Sequence, residues 1–100
     1  MPNVAVKIAE FQDIIERTYG VKDRARGVPR TFMWFTEEVG ELSRALHRDT
    51  GPENLRKEFA DVLAWLTTLA SSMGVDLQAV AEEVYGKGCP DCGAIPCSCP

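Results

Sequence analysis

The spacing of the apolar residues constrains this chain more than any other feature. In the first segment these residues recur three or four positions apart, at Val4, Ile8, Phe11, Ile15 and Tyr19. This is the spacing of one helix face, and the alternation typical of strands is absent from the chain. The pattern predicts helices over residues 4–19, 29–47, 55–73 and 77–85, with a connecting loop at 21–28.

Turn-forming residues separate the predicted helices by short connections. Residues 49–52 read Asp-Thr-Gly-Pro and interrupt the chain before the third helix. Thr50 and Glu53 have the pattern of a capping box, and Asp76 is the expected N-cap of the fourth helix. Four helices with short connections indicate an all-α fold, an antiparallel four-helix bundle.

The size and charge of the chain exclude several classes of protein. One hundred residues make one domain, which we expect to span residues 1–86 before a Cys-rich tail at 87–100. A net charge of −4 argues against a nucleic acid polymer as partner, and means that a phosphorylated ligand requires a cation. No apolar run is long enough to span a membrane and no secretory signal is visible, so a cytoplasmic location is expected.

Acidic side chains occupy positions in the second and third helices where apolar residues are expected. These residues are Glu37, Glu38, Glu41, Glu58 and Asp61. Unpaired carboxylates in an apolar stripe are costly, and several together repel one another. The stripes themselves supply no Lys or Arg, so the sequence predicts a divalent cation that prefers oxygen ligands, either Mg²⁺ or Mn²⁺.

The alternative is a solvated acidic face with salt bridges inside each helix. Glu41 has Arg44 three residues further on, whereas Glu37 has no basic residue at helical spacing. Because both acidic clusters interrupt apolar stripes of consecutive antiparallel helices, the sequence favours a metal site.

The two acidic motifs resemble the signature of a known family. Glu-Glu-x-x-Glu at 37–41, followed after 16 residues by Glu-x-x-Asp at 58–61, is similar to the motif of MazG-type nucleotide pyrophosphohydrolases. The resemblance extends from Phe11 to about Tyr85. It implies an all-α enzyme of nucleotide metabolism, a homodimer or homotetramer, which hydrolyses a nucleoside triphosphate to the monophosphate and pyrophosphate with a metal-activated water.

The resemblance also implies roles for individual residues. The Mg²⁺ ligands would be Glu38, Glu41, Glu58 and Asp61. The catalytic acids would be Glu37, Glu38 and Glu41, with Glu37 bridging the metal or orienting the attacking water. Lys87 would take the place of a phosphate-binding lysine, but the asparagine that commonly accompanies it is missing.

Other side chains are candidates for binding the substrate. Trp34 precedes Glu38 by one turn and Trp65 follows Asp61 by one turn, so either indole could stack on a nucleobase or simply belong to the core. Basic residues that could reach phosphate, or lie on a solvated surface, are Arg30 and Lys57, with Lys22, Arg24 and Arg26 in the predicted loop.

All four cysteines lie in the tail. Cys89, Cys92, Cys97 and Cys99 could complete a tetrahedral Zn²⁺ site, and free or redox-active thiols and disulfides remain alternatives. The functional alternative to an enzyme is a non-catalytic helical metal-binding module that docks a partner through this tail.

Overall fold

The computed structural model describes residues 7–100, so Val4 of the predicted first stripe lies outside the described residues. In this part of the chain there are four helices: α1 Ile8–Arg26, α2 Val28–Arg48, α3 Pro52–Ser72 and α4 Leu77–Tyr85. Residues 7–100 contain no strand. The prediction of an all-α, four-helix fold is confirmed.

The first helix is longer than its sequence pattern suggests. The predicted loop at 21–28 is wrong, because α1 continues through a buried Gly20 to Arg26 and breaks only at Gly27, whose φ is +87°. Asp23 is buried, pairs with Arg26 and accepts a hydrogen bond from the Thr68 hydroxyl of α3. The contact with Thr68 holds the last turns of α1 against α3.

The second and third helices form the central pair of the fold. α2 packs more extensively against α3 than against α1, and α1 also packs on α3. Residues 49–51 connect the pair, with positive φ at Asp49 (+49°) and Gly51 (+99°). Because this connection is so short, α2 and α3 run antiparallel.

The start of α3 differs from the predicted capping box. Gly51 is the N-cap, Pro52 opens the helix, and no side chain caps it, so the Thr50–Glu53 box is wrong. The Thr50 hydroxyl instead accepts a hydrogen bond of 2.6 Å from the Asn54 side chain. Proline suits the first helical turn, and its position moves the N-cap one residue beyond Thr50.

The start of α4 matches the prediction. The Asp76 carboxylate accepts a hydrogen bond of 3.0 Å from the Ala79 amide, which confirms Asp76 as the N-cap. Gln12 of α1 holds the preceding turn by donating to the Val75 carbonyl at 2.8 Å and accepting from the Leu77 amide at 2.9 Å. These bonds attach the short α4 to the end of the bundle.

The bundle buries few apolar side chains. Among the described residues, the buried apolar side chains are Ile15, Ala45 and Ala70. Large apolar side chains that remain about half exposed on α2 and α3 are Phe32, Met33, Leu46, Phe59, Leu63 and Leu66. None of the described helices combines the length and the apolar character needed to pass through a bilayer.

Candidate active site

Three carboxylates converge where α2 packs on α3. Glu38, Glu58 and Asp61 each offer an oxygen that lies within 4.8 Å of those of the other two. Glu58 and Asp61 are one turn apart on α3, and the packing of α2 brings Glu38 beside them. We call these three residues the acidic cluster.

Glu58 is the most buried member of the acidic cluster. The residue is 8% exposed, and its Oε2 has no hydrogen-bond partner among the described residues. Leaving a buried acceptor unsatisfied costs about 1–3 kcal/mol, and more if it is charged. A cation bound by the cluster would remove this cost, so the arrangement suits a divalent metal ion.

Lys57 partly neutralises the acidic cluster from an exposed position outside the apolar stripes. Its Nζ lies 2.7 Å from Oδ2 of Asp61, four residues further along α3. The hydrogen bond to Asp61 raises the pKa of Lys57, which keeps the ammonium charged. The long lysine stem allows this, because it carries the charge to a neighbouring turn from an exposed position.

The pKa of Glu38 shows the repulsion that remains among the three carboxylates. Burial, followed by the neighbouring carboxylates of Asp61 and Glu58, raises the pKa of Glu38 above its ordinary value of 4.5, and Lys57 offsets this only in part. Without a cation, Glu38 therefore resists ionisation.

The other two predicted acids, Glu37 and Glu41, lie outside the acidic cluster. Both are exposed on α2. The Glu41 carboxylate oxygens lie 3.5 Å from Nη1 of Arg44, which is the salt bridge expected from the sequence. The structure thus brings together three of the five acids singled out in the sequence.

Two tryptophans and one arginine lie beside the acidic cluster. The ring centroids of Trp34 and Trp65 are 5.7 Å apart, with an angle of 54° between the ring planes. The Arg26 guanidinium carbon lies 5.5 Å from the Trp34 centroid and 4.9 Å from that of Trp65. Such distances allow cation–π attraction, which holds the three side chains together.

These groups open onto one cleft of about 350 Å³ between α1, α2 and α3. Asp61 of the acidic cluster lines it together with Arg26, Trp34 and Trp65. Lys22 adds a second cation from α1. Carboxylate, aromatic and cationic groups therefore share a cleft of the size that binds small molecules.

Buried polar contacts hold Arg26 in this cleft. Its Nη1 donates to Oδ1 of Asp23 at 3.0 Å and to the Thr31 hydroxyl at 3.3 Å. Asp23 is only 3% exposed. Sequence reasoning missed this arrangement because it placed Arg26 in a loop, although an acid three residues before an arginine is a helical pairing signal.

The site lies within a recognised domain. The family model of the MazG nucleotide pyrophosphohydrolase domain matches residues 27–88, more than half of the chain. The chain belongs to this family. The resemblance noted from the two acidic motifs is thereby confirmed, and the family implies a hydrolase that acts on nucleotide pyrophosphate bonds. A comparison with curated proteins found no match.

The MazG match covers only part of the structure. It includes α2, α3 and α4 with the whole acidic cluster, and it ends at Gly88. Helix α1, which supplies Asp23 and Arg26, and the four cysteines lie outside it. The cleft of this MazG domain is therefore completed by residues that the family model does not cover.

The predicted phosphate-binding residues are scattered in this MazG domain. Lys57 lies beside the acidic cluster, whereas Arg30 is exposed in the first turn of α2. Lys87 lines a groove at the end of α4 with Gly88 and Cys89. Arg26 and Lys22 are the basic side chains that line the cleft.

The four cysteines that follow the MazG match form a second cluster. Cys89, Cys92, Cys97 and Cys99 each place a sulfur within 4.8 Å of the other three. Hydrogen bonds from Ser98 lower the pKa of Cys92 to about 5, whereas contacts with the other thiols raise the pKa of Cys99 to about 11. Like the acidic cluster, this group could hold a metal ion.

Proposed function

We propose that this MazG domain is a Mg²⁺-dependent nucleoside triphosphate pyrophosphohydrolase. It would convert an NTP or dNTP and water into the corresponding monophosphate and pyrophosphate. The observation that carries the proposal is the buried Oε2 of Glu58, which lacks a partner within a group of three carboxylates. The family supplies the class of reaction, and the acidic cluster supplies the argument for the metal.

The donor set of the acidic cluster fits Mg²⁺. Mg²⁺ binds oxygen at about 2.0–2.1 Å, so its ligand oxygens lie roughly 3–4 Å apart. The oxygens of Glu38, Glu58 and Asp61 lie within 4.8 Å of one another and need only small adjustments. Glu41 lies one turn from Glu38 and would become a fourth ligand by leaving Arg44. Mn²⁺ accepts the same donors.

The negative charge of the substrate makes this cation necessary. A triphosphate would be repelled by three carboxylates and by a chain whose net charge is −4. A bound Mg²⁺ supplies positive potential for the phosphate oxygens and lowers the pKa of a bound water. Glu37 is our candidate for orienting the attacking water, since it adjoins Glu38 and its side chain is exposed.

The cleft beside the acidic cluster would bind the rest of the nucleotide. The indoles of Trp34 and Trp65 offer flat apolar surfaces for a nucleobase. Arg26, fixed by Asp23, is positioned to donate charge-assisted hydrogen bonds to phosphate. Lys57 would add charge beside Asp61, whereas Arg30 and Lys87 are weaker candidates because they lie outside the lining of the cleft.

The enzyme would act as a homodimer or homotetramer. Phe32, Met33 and Phe59 are each more than half exposed, and Leu63 is 46% exposed. Several large apolar side chains exposed on the same two helices are typical of an interaction surface. Burial against a second copy would extend a core that is small in the isolated chain.

A substrate panel would test the activity. The purified chain would be incubated with ribo- and deoxynucleoside triphosphates, and ³¹P NMR would separate pyrophosphate from phosphate. We expect Mg²⁺-dependent release of pyrophosphate that is lost on chelation and in Glu38→Gln and Asp61→Asn. Glu83→Gln, an exposed glutamate on α4, is the matched control and should retain activity.

The same panel separates the enzyme from a non-catalytic module. Release of orthophosphate and a diphosphate would place the cleavage at another bond and contradict the proposed reaction. If no nucleotide is turned over, or if Asp61→Asn is as active as Glu83→Gln, the acidic cluster is not the catalytic centre. Thermal stabilisation by Mg²⁺ alone, unaffected by a non-hydrolysable triphosphate, would favour the module.

A further inference from the structure

The tail beyond the MazG match has a metal site of its own. We propose that Cys89, Cys92, Cys97 and Cys99 bind one structural Zn²⁺ ion that holds the tail in its folded form. The four sulfurs converge within 4.8 Å of one another although they lie on an irregular segment with no helix or strand. This proposal does not depend on the enzymatic activity.

The distances between the sulfurs match tetrahedral coordination. Zn²⁺ binds thiolate at about 2.3 Å, so the edges of a ZnS₄ tetrahedron are roughly 3.8 Å. The Sγ atoms of Cys89 and Cys99 are 3.7 Å apart, and those of Cys92 and Cys97 are 4.0 Å apart. Both distances are nearly twice the S–S bond of about 2.05 Å. The arrangement therefore suits four thiolates around one ion rather than two disulfides.

Backbone amides point at the sulfurs. The Ser98 amide donates to Sγ of Cys92 at 3.3 Å, and the Cys99 amide donates to Sγ of Cys97 at 3.4 Å. Hydrogen bonds of this kind stabilise negative charge on a thiolate and orient a metal ligand. Because these amides donate hydrogen bonds to sulfur, the local backbone is already arranged to stabilise charged thiolate ligands.

Glycines allow the tail to turn tightly around this position. Gly93 has a φ of +71°, and its amide donates to the Cys89 carbonyl at 2.7 Å. Gly88 has a φ of +102°, and a Cβ there would lie 2.5 Å from a side-chain atom of Ile95. The chain thus folds back on the end of α4, with Cys89 and Cys92 on one arm of the turn.

The tail buries little apolar surface. Ile95, its only large apolar side chain, is 82% exposed, and Cys92, Cys97 and Cys99 are exposed as well. A segment this short cannot bury enough apolar surface to fold on its own. Binding of Zn²⁺ by a thiolate set provides the missing free energy, as in other small metal-stabilised units. Thiolates also select zinc over the magnesium of the acidic cluster.

Metal content of the full chain provides the first test. The protein would be purified under reducing conditions without chelators and measured by mass spectrometry of metals. We expect about one zinc per chain, lost in Cys92→Ser and Cys97→Ser. Asp91→Asn, between two of the ligands, is the matched control and should keep its zinc. Glu58→Gln should keep it too, because it alters only the acidic cluster.

Alkylation of the wild-type thiols provides a second test that does not rely on a variant. Three of the four cysteines are exposed, so free thiols would react quickly with a small alkylating reagent. We expect all four to be protected until a strong zinc chelator is added. Reduced protein without zinc, immediate alkylation before chelation, or two disulfides in the intact mass of the purified chain would overturn the proposal.

Discussion

Replacing Glu58 by glutamine should change stability in opposite directions with and without Mg²⁺. The carboxylate is 8% exposed, and its Oε2 has no hydrogen-bond partner among residues 7–100. Glutamine has the same length, removes the charge and offers an amide donor. That donor could reach the oxygens of Glu38 or Asp61, which lie within 4.8 Å. In the metal-free protein the substitution therefore removes charge repulsion within the acidic cluster and gives a neighbouring carboxylate oxygen a hydrogen-bond donor.

The magnitude follows from the burial of this group. An unsatisfied buried acceptor costs about 1–3 kcal/mol, and a charged one costs more. We expect Glu58→Gln to stabilise the metal-free protein by about 1 kcal/mol, which for a domain of this size is about 4–8 °C in Tm. With Mg²⁺ at about 100 times its Kd, the wild type gains about 2.7 kcal/mol. The variant gains little, so the order of the two Tm values reverses.

Thermal melting at one protein concentration would measure both effects. Wild type, Glu58→Gln and the exposed control Glu83→Gln would each be melted after chelation and then across a Mg²⁺ titration. The control should follow the wild type throughout. A variant that is less stable than the wild type without metal, or that gains as much from Mg²⁺, would refute the claim that Glu58 is an unpaired carboxylate awaiting a cation.

Three further predictions address the cleft, the acidic cluster and the apolar surface. Asp23→Asn should raise KM several-fold with a smaller change in kcat, and should lower the free energy of unfolding by about 2 kcal/mol. The control Asp13→Asn, which alters an exposed salt bridge, should leave both the kinetics and the stability unchanged. Because the folded-state pKa of Glu38 is raised, the free energy of unfolding of the metal-free protein should fall as the pH rises above 4.5. Denaturant unfolding at several pH values should show a weaker fall for Glu38→Gln. Phe59→Glu should shift the mass measured by light scattering towards the monomer, and Val21→Glu, exposed on α1, should not.

The sequence predicted the helices and their approximate positions because two strong signals agreed. Apolar residues recur with helical spacing, and residues 49–52 and Gly74 interrupt that spacing. The pairing of α2 with α3 followed from the short connection between them. The convergence of Glu38 with Glu58 and Asp61 could be anticipated for the same reason, since two antiparallel neighbours place the apolar stripes that face each other, and the acids within them, close together.

The extent of α1 could not be predicted from local pattern. Residues 21–26 are polar and follow a glycine, which is typical of a loop. The helix persists because Asp23 is buried against Thr68, a contact between positions 45 residues apart. Local propensity carries no information about such a partner. The position of Arg26 in the cleft depends on the same contact, so it was missed together with the helix.

The cation beside the acidic cluster comes from outside the apolar stripes. Judged by helical position, Lys57 adjoins Glu58 in sequence and lies outside the apolar stripe. It nevertheless precedes Asp61 by four residues, a spacing at which side chains of one helix meet, and its ammonium lies 2.7 Å from the Asp61 carboxylate. A lysine can therefore neutralise an acidic site from an exposed position, and the search for cations must extend beyond the apolar stripes to all residues at helical spacing.

The acidic cluster and the exposed apolar side chains both follow from the way α2 packs on α3. Glu58 occupies a buried position of the α2–α3 interface that an apolar side chain would otherwise fill, while its neighbour Phe59 is 54% exposed. A buried carboxylate at the helix interface thus weakens the core that these two helices can form by themselves. In the proposed enzyme, the bound cation and apolar contact with another copy would supply the missing stability. We therefore expect removal of Mg²⁺ to loosen α2 against α3 and weaken subunit association.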